Sequence, residues 1–353
     1  MKKKIMATLP LLAAAATGSA FAQSSVTLFG NVDAAATVVD GHNTWSGLNS
    51  GGNKDSYFGL RGVEDLGGGL KAQFWLESGI NADTGAGDSG SGVDFKRRAT
   101  VGMMGNFGEV NLGRDETAAY KAMKRYDVFH HAGIGGSQAW GIGNNDDKRK
   151  DNLIGYVSPS FGGVTFSANY AFGETNQSTW KTKAYYDAAV SYDQGPWSAS
   201  LAAEQQNNVD FGGANIRQRA YAVGTGYDFG SFKLLGAYRQ ARNTPEGQST
   251  VKSETYTLGA SAPVGAAGVV KAAYNHYQYQ YQPVGVATKL KADQLSLGYE
   301  HNLSKRTAVY GTYAFLKNKD YDAAVGGMSL EPAALLSDSG KQQGLQVGVR
   351  HTF

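Results

Sequence analysis

The feature that most constrains the fold is a regular alternation of apolar residues with small or polar ones, which recurs along most of the chain. From Val164 to Gly173, valine, phenylalanine, alanine and tyrosine fill one set of alternate positions, and threonine, serine and asparagine fill most of the other. Further runs with the same period of two are Tyr186–Asp193, Trp197–Glu204, Gln294–His301 and Leu345–Phe353. Because successive side chains of a β-strand point to opposite faces, this period predicts strands with one apolar face. We therefore expect an all-β fold.

The connections between these runs alternate in length. Short turns, such as Asn106–Gly108 and Phe229–Ser231, alternate along the chain with longer connecting segments, such as Glu174–Thr182 and Asp320–Lys341. Short turns on one rim and long loops on the other are typical of transmembrane antiparallel β-barrels. Counting the runs gives about sixteen strands of roughly ten to fifteen residues, which is long enough to cross a bilayer at a tilt of ~45°.

A soluble β-sandwich or repeat protein is the alternative explanation of the alternation. Two observations favour the barrel instead. The face opposite the apolar one carries mostly alanine, serine, glycine and threonine, whereas a soluble strand normally presents charges there. Aromatic residues also gather near strand ends, as expected for the girdles at a membrane interface. The tyrosines interpreted in this way are Tyr277, Tyr279, Tyr281, Tyr310 and Tyr313.

The N-terminal segment Met1–Ala22 has the features of a secretory signal peptide. Three lysines precede an apolar run, and the small residues Ala20 and Ala22 stand before Gln23. Residues 23–353 are then expected to form one barrel domain. Removing the three lysines lowers the formal net charge from +3 to 0, so there is no basic excess that would indicate a nucleic-acid partner.

The longest interruption of the strand pattern is the segment Leu112–Asp151, within which we assign residues 115–151 to a loop. Asp115 is expected to cap a short amphipathic helix, because Tyr120, Met123 and Tyr126 recur every three residues. A loop of this length in a strand-rich domain normally has a function. We expect it to fold back into the barrel and narrow the lumen; the alternative is a mobile surface loop.

Metal and catalytic chemistry find little support in the sequence. The pair His130–His131 is adjacent and does not share a helix face, so it does not form the usual metal pair. The oxygen-rich segment Asn144–Asp151 is interrupted by three basic residues and lacks the spacing of a calcium loop. No nucleophile or phosphate-binding motif is present. We therefore predict no metal, no cofactor and no catalytic residue.

Five phrases carry a resemblance to a known family. They are SSVTLFGNVDA, YFGLRGVEDLGGGLKAQFWLESG, RRATVGMMGNFGEVNLGR, DNLIGYVSPSFGG and the terminal VGVRHTF. In this order and spacing, from Ser24 to Phe353, the chain resembles Gram-negative general diffusion porins of the β-proteobacterial branch. The resemblance implies a sixteen-stranded barrel in the outer membrane, usually a homotrimer in contact with lipid and lipopolysaccharide. It also implies passive diffusion of small hydrophilic solutes and ions past a constriction formed by the third long loop and a basic wall.

The matched phrases indicate which residues would form that constriction. The candidates on the barrel wall are Tyr57, Arg61, Arg97, Arg98, Arg114 and Arg149, and those in the loop are Lys121, Lys124 and Asp127. Tyr57 is a departure, because the family usually has arginine there. Basic groups outnumber acidic ones, so the resemblance implies a mild anion preference, weaker than in relatives with that arginine. Since Arg97 and Arg98 are adjacent, only one of them is expected in the lumen unless a bulge intervenes.

Other functions remain open at this point: an outer-membrane barrel enzyme, a substrate-specific channel and a soluble secreted binding protein. Phe353 closes the last alternating run, so we expect it to matter for barrel assembly, because an open strand edge in lipid leaves backbone groups unpaired. In the family that the chain resembles, the terminal aromatic residue is also part of the signal read by the barrel-insertion machinery.

Overall fold

A computed structural model describes residues 25–87, 90, 92–140, 148–174, 183–211, 214–245, 251–281, 288–320, 327–330 and 340–353. The predicted signal peptide Met1–Ala22 lies outside the described residues, and so does most of the oxygen-rich part of the long loop, at 141–147.

Within the described residues, seventeen strand segments form one antiparallel sheet. The first nine are β1 (Ser25–Asp40), β2 (Thr44–Ser50), β3 (Tyr57–Gly67), β4 (Leu70–Gly79), β5 (Arg98–Gly105), β6 (Gly108–Glu116), β7 (Arg149–Val157), β8 (Val164–Ala171) and β9 (Tyr185–Gln194). The others are β10 (Trp197–Phe211), β11 (Ala214–Asp228), β12 (Lys233–Pro245), β13 (Val251–Val264), β14 (Gly268–Tyr281), β15 (Thr288–Asn302), β16 (Thr307–Asp320) and β17 (Lys341–Thr352).

The sheet closes on itself because the first strand pairs with the last. One edge of β1 pairs with β17, and the other edge pairs with both β2 and β3. β2 lies beside residues 34–40 of β1 and β3 beside residues 25–31, so β2 and β3 are two halves of one barrel strand. The molecule is therefore a closed sixteen-stranded antiparallel barrel, which confirms the predicted fold class and strand number.

The alternation along the strands places apolar side chains outside and small or polar ones inside. In β10, Leu201 is 61% exposed while its neighbour Ser200 is 2% exposed. In β17, Leu345 and Val347 are exposed and Gln346 between them is fully buried. A soluble protein buries its apolar side chains, so this inverted arrangement fits a barrel that is surrounded by lipid.

The wall is not uniform in height. Strands β4 to β9 have 8 to 10 residues each, whereas β10 to β16 have 13 to 15. Since the short turns share one rim, the longer strands extend further on the side of the long loops.

The proposed girdle of tyrosines is wrong for three of its members. Tyr277 is 1% exposed and its hydroxyl donates to Gln294 Oε1 at 2.9 Å, while Tyr310 is buried. Tyr279 packs against the same interior cluster as Tyr277. The physical reason is strand register: the outward positions of β14 belong to Tyr274 and its alternates, and those of β16 belong to Val309 and Tyr313, so Tyr277, Tyr279 and Tyr310 point into the lumen.

Aromatic residues do gather at the lipid face near the short turns. Trp197 stacks edge-on against Tyr227 with ring centroids 4.5 Å apart, and Phe229 contacts Phe232 at the same separation. Amphipathic and aromatic rings at this level are typical of the interface between lipid and water.

The long loop contains the one short helix that the sequence predicts. Helix α1 spans Ala118–Met123, and a 3-10 turn follows at Lys124–Tyr126. The cap is Thr117, whose hydroxyl accepts from the backbone N–H of Tyr120, and not Asp115, because β6 continues through Glu116. Among the described residues, no helix is long and apolar enough to span a membrane.

Candidate functional site

The described part of the long loop, Thr117–Trp140, lies against the inner face of the barrel. The hydroxyl of Tyr126 is 2.9 Å from Ser200 Oγ, and the Tyr126 ring covers Gly224, where an added Cβ would overlap it. Tyr120, Met123 and Tyr126 are all buried, which confirms that they share one face of the helical segment.

Four glycines on alternate strands receive side chains of this loop. Their strands and partners are β11 with Gly224 against Tyr126, β13 with Gly259 against Val128, β15 with Gly298 against Phe129 and β17 with Gly344 against Ile134. A Cβ at Gly259 or Gly298 would stand 2.8 Å and 2.7 Å from the loop side chain, closer than carbon atoms pack. We call these four residues the glycine track. It marks the path of the loop across the inner wall.

Asp127 lies inside the loop's own fold. It is 2% exposed and accepts hydrogen bonds from the backbone N–H groups of Phe129 at 3.0 Å, His131 at 2.9 Å and Ser137 at 2.7 Å. The carboxylate therefore holds the turn together, and it is not among the residues that line the cavity beside helix α1 described below.

His131 supports the same turn from its other side. Its Nδ1 lies 2.7 Å from the carbonyl oxygen of Ser137. Burial lowers the pKa of His131 below its usual value, against the attraction of Asp127. The imidazole is therefore neutral at neutral pH, and Nδ1 is the donor to the carbonyl.

A cavity of ≈ 320 Å³ remains between helix α1 and the inner face of β3 to β7. Its basic lining residues are Lys54, Arg97, Arg98, Lys121, Lys124 and Arg149, and its acidic ones are Glu77, Asp115 and Glu116. Tyr57 and Trp75 complete the lining. Six of the nine predicted constriction residues thus lie around one space.

Arg97 is held by two carboxylates and a ring. Its Nε lies 2.8 Å from Glu77 Oε1 and its Nη1 lies 3.1 Å from Asp55 Oδ2. The guanidinium also stands over the Tyr57 ring, 5.0 Å from its centroid. These contacts fix the direction of the side chain, which is 11% exposed.

Two carboxylates connect the wall to the helix. Asp115 Oδ2 lies 3.4 Å from Arg98 Nη2 and 2.6 Å from Lys121 Nζ. Glu116 likewise joins two cations, with Arg149 Nη2 at 3.2 Å and Lys124 Nζ at 2.5 Å. Each carboxylate therefore ties one arginine of the wall to one lysine of the helical segment, Lys121 in α1 or Lys124 in the 3-10 turn. These bridges set the distance across the cavity.

Both Arg97 and Arg98 line the cavity, whereas the alternation argument placed only one of them there. The reason is that β5 begins at Arg98. Arg97 precedes the strand, so the alternation of inward and outward side chains does not apply to it. Arg98 occupies an inward position of β5, with its Cζ 4.5 Å from the centroid of the Trp75 ring.

The remaining candidates lie elsewhere. Arg61 is exposed and contacts the rings of Phe29 and Trp75, each at 5.3 Å, directly beside the cavity lining. Arg114 pairs with Asp151 at 2.7 Å and is not among the residues around the cavity.

Phe353 completes the seam of the barrel. Its backbone N–H donates to the carbonyl oxygen of Gly30, and the N–H of Gly30 donates to the carbonyl oxygen of Phe353, both at 3.0 Å. The Phe353 ring lies directly over Gly30, where a Cβ would collide with it. The last residue is therefore part of the ladder that joins β17 to β1.

Sequence reasoning missed Lys54 and Asp55, which lie in the break between β2 and β3. The break is anchored by Asp33, whose Oδ2 accepts from the backbone N–H groups of Asn53 at 3.0 Å and Lys54 at 2.8 Å. The only signal for it is the turn-forming phrase GGNKDS between two strand-like runs. That phrase does not reveal that the turn lies within a barrel strand.

Comparisons with known proteins agree with this architecture. A family model described as Gram-negative porin matches residues 8–321. Outer membrane porin protein 32 of Delftia acidovorans is 43% identical over 366 residues, covering all of both chains, and a porin of Bordetella pertussis is 29% identical over 408 residues, also covering both.

Among solved structures, an anion-selective porin from Comamonas acidovorans shares 42% sequence identity with the chain. It superimposes with a TM-score of 0.84, over 94% of this chain and 100% of that one. The family model, the full-length relatives and the closed barrel lead to the same conclusion. The chain belongs to the Gram-negative porins of the outer membrane.

Proposed function

We propose that the cavity between helix α1 and the β3–β7 wall is the constriction of a water-filled channel, through which small hydrophilic solutes and ions diffuse passively. The observation that carries the proposal is the excess of six basic over three acidic side chains around that space. Family and fold point to a channel and not to an enzyme. We propose a mild preference for anions, as in the anion-selective relative from Comamonas acidovorans.

Local charge is sufficient for such a preference. At physiological ionic strength the Debye length is about 8 Å, so an ion in a narrow passage responds to the groups beside it and not to the net charge of the chain. Asp115 and Glu116 each offset part of two cations, and Tyr57 adds no charge. These features support a weak preference.

The test is the zero-current potential of purified channels in a planar bilayer under a salt gradient. Replacing Arg97→Gln and Arg98→Gln together should shift this potential toward cation preference, because it leaves Glu77 and Asp115 with fewer partners. Tyr57→Arg should shift it the other way. The matched control is Arg114→Gln, which removes a charge outside the cavity. Unchanged potentials in both cavity variants would contradict the proposed site.

A homotrimer is proposed from the outward face of the first strands. Leu28 on β1, Val101 on β5 and Leu112 on β6 are exposed, and the outward positions around them are also mainly apolar. Such a face supports contact with a second copy or with lipid. Lipopolysaccharide and the barrel-insertion machinery are proposed as further partners.

Phe353 is the residue on which we expect assembly to depend. Phe353→Ser keeps the two backbone hydrogen bonds to Gly30 but removes the ring that covers it. We expect less heat-modifiable, folded protein in outer-membrane fractions, with unchanged single-channel conductance in the barrels that do form. Leu345→Ser, on an exposed position of the same strand, is the control. Normal amounts of folded Phe353→Ser would refute the expectation.

A further inference from the structure

Three aromatic rings lie together on the inner face of the barrel, beside the cavity. Phe29 on β1, Tyr57 on β3 and Trp75 on β4 point inward from neighbouring strands. The Phe29 ring stands edge-on to the Trp75 ring at 5.0 Å and to the Tyr57 ring at 6.2 Å. We call these three rings the aromatic patch. All three side chains are partly exposed, so the patch presents apolar surface to the lumen.

A glycine makes room for the central ring of the patch. Phe29 pairs with Gly59 on β3, where an added Cβ would stand 2.5 Å from Phe29 Cζ. The inward neighbours of Gly59 along β3 are Tyr57 and Arg61, and Phe29 contacts both of their side chains. The ring therefore lies across β3, between a tyrosine and an arginine, in a place that the backbone sets.

Arg61 lies on the patch, and its N–H donors have no protein partner. Its Cζ is 5.3 Å from the centroid of the Phe29 ring and 5.3 Å from that of the Trp75 ring. Contacts of this kind attract the guanidinium to the rings without using its N–H groups as hydrogen-bond donors to oxygen. Among the described residues, no carboxylate pairs with Arg61, whereas Arg97 is held by two. Arg61 is thus an exposed cation that can bind a ligand.

The charge and the rings together define what fits this place. A guanidinium binds a carboxylate through two parallel N–H donors, and the rings beside it favour a ligand with an apolar, aromatic body. The surroundings favour one carboxylate and not two. The next cation along the wall, Arg98, already pairs with Asp115 at 3.4 Å. Glu77 Oε2 accepts from Trp75 Nε1 at 3.3 Å, so a second carboxylate on the ligand would stand near a negative charge.

We propose that Arg61 and the aromatic patch bind small aromatic monocarboxylates, of the benzoate class, on their way through the channel. The carboxylate of the ligand pairs with Arg61, and its ring lies against Phe29 and Trp75. Because Tyr57 and Trp75 also line the cavity, a ligand on the patch stands at the edge of the constriction. The site rests on the proposed channel function and names a class of solute for it.

The test is the block of the chloride current through purified channels in a planar bilayer at constant ionic strength, since a bound anion larger than chloride obstructs the passage. Benzoate should halve the current at a concentration about tenfold or more below that of acetate, which has the charge without the ring. It should also act about tenfold or more below benzamide, which has the ring without the charge. If acetate is as effective as benzoate, the patch takes no part in binding, and if benzamide is, Arg61 takes none. Either result would overturn the proposal.

Two variants locate the binding. Arg61→Gln should raise the half-blocking concentration of benzoate about tenfold, because a charge-assisted contact is lost. Phe29→Leu keeps the charge and should raise it by about threefold, with no change in the effect of acetate. The control is Arg114→Gln, which removes a charge outside the cavity and should leave the block by benzoate unchanged.

Failure of the site is distinguishable from failure of the channel. Conducting Arg61→Gln and Phe29→Leu channels that benzoate blocks as it blocks the parent would overturn the site and leave the proposed channel standing. A folded parent barrel without conductance would instead contradict the channel itself, and the site with it.

Discussion

The inner surface of the barrel has two kinds of wall, and they differ in what faces the long loop. From β11 to β17 the loop lies directly on the wall, which presents the glycine track and neutral groups such as Gln294, whose side-chain amide donates to the carbonyl oxygens of Ile134 and Gly136. From β3 to β7 the wall stays open and carries the arginines and carboxylates of the cavity.

The difference between the two walls shows how the long loop can be tightly packed on one side and charged on the other. On the covered wall, a charge would lose its water, which is costly unless a partner replaces it. A buried arginine of this wall illustrates the rule: Arg239 bonds to Glu204 at 2.6 Å and to the carbonyl oxygen of Ala139 at 3.1 Å. The loop is thus placed by shape on one side and by paired charges on the other.

Shortening the loop between Tyr120 and Gly136 would remove the difference between the two walls altogether. We expect a severalfold higher single-channel conductance and passage of larger neutral sugars, because the cavity then opens to the full lumen. The measurements are bilayer conductance and liposome swelling, with strand content by circular dichroism as the check on folding. Unchanged conductance in a folded barrel would mean that the loop does not limit flow.

A subtler change on the covered wall is Gly224→Ala. The new Cβ would overlap the Tyr126 ring, and overpacking of this kind typically costs about 1–3 kcal/mol. We expect the helical segment to be displaced and conductance to rise, by less than in the shortened loop. Gly236→Ala is the control, because a Cβ there meets only a carbonyl oxygen at 3.9 Å. If Gly224→Ala and Gly236→Ala have the same single-channel conductance, the glycine track does not determine the position of the loop.

The smallest expected effect is a dependence of loop order on pH. Burial lowers the pKa of His131, so the folded loop binds fewer protons than the unfolded segment does. The folded loop has its full stability above pH 6.5, which is about the pKa of an ordinary histidine, and loses stability as the pH falls below that value. After division by the intrinsic exchange rate at each pH, the protection of peptides from Thr117–Trp140 should be lower at pH 5 than at pH 7.5, while peptides of β12 should keep their protection. Equal protection at both values would exclude this role of His131.

The period-two pattern predicts the barrel and its strand number because every strand must show lipid one face and the lumen the other. It predicts less well which tyrosines meet the membrane. Tyr277 and Tyr279 have the spacing of a girdle, but the register of β14 is decided by pairing with strands distant in sequence, and it turns them inward.

The cavity was predictable only where residues belong to recognisable phrases. Tyr57, Arg97, Arg98 and Arg149 were found in this way, whereas Asp115 and Glu116 acquire their importance from the helix and the 3-10 turn, which bring one lysine each to them. Such contacts between a wall and a folded loop depend on the path of the loop. That path follows from steric room at glycines of remote strands, which no local pattern encodes.

The break between β2 and β3 has a consequence for how such channels can diverge. Six residues, 51–56, stand opposite only two residues of β1, Val32 and Asp33, an excess of four. Because four is even, inward and outward positions keep the same parity on both sides of the break. The pairing of β2 and β3 with β1 fixes the faces of both halves, so a change in the length of the break would be absorbed there and would remodel the edge of the passage. The break is therefore a place where insertions and deletions can alter permeability without a new barrel.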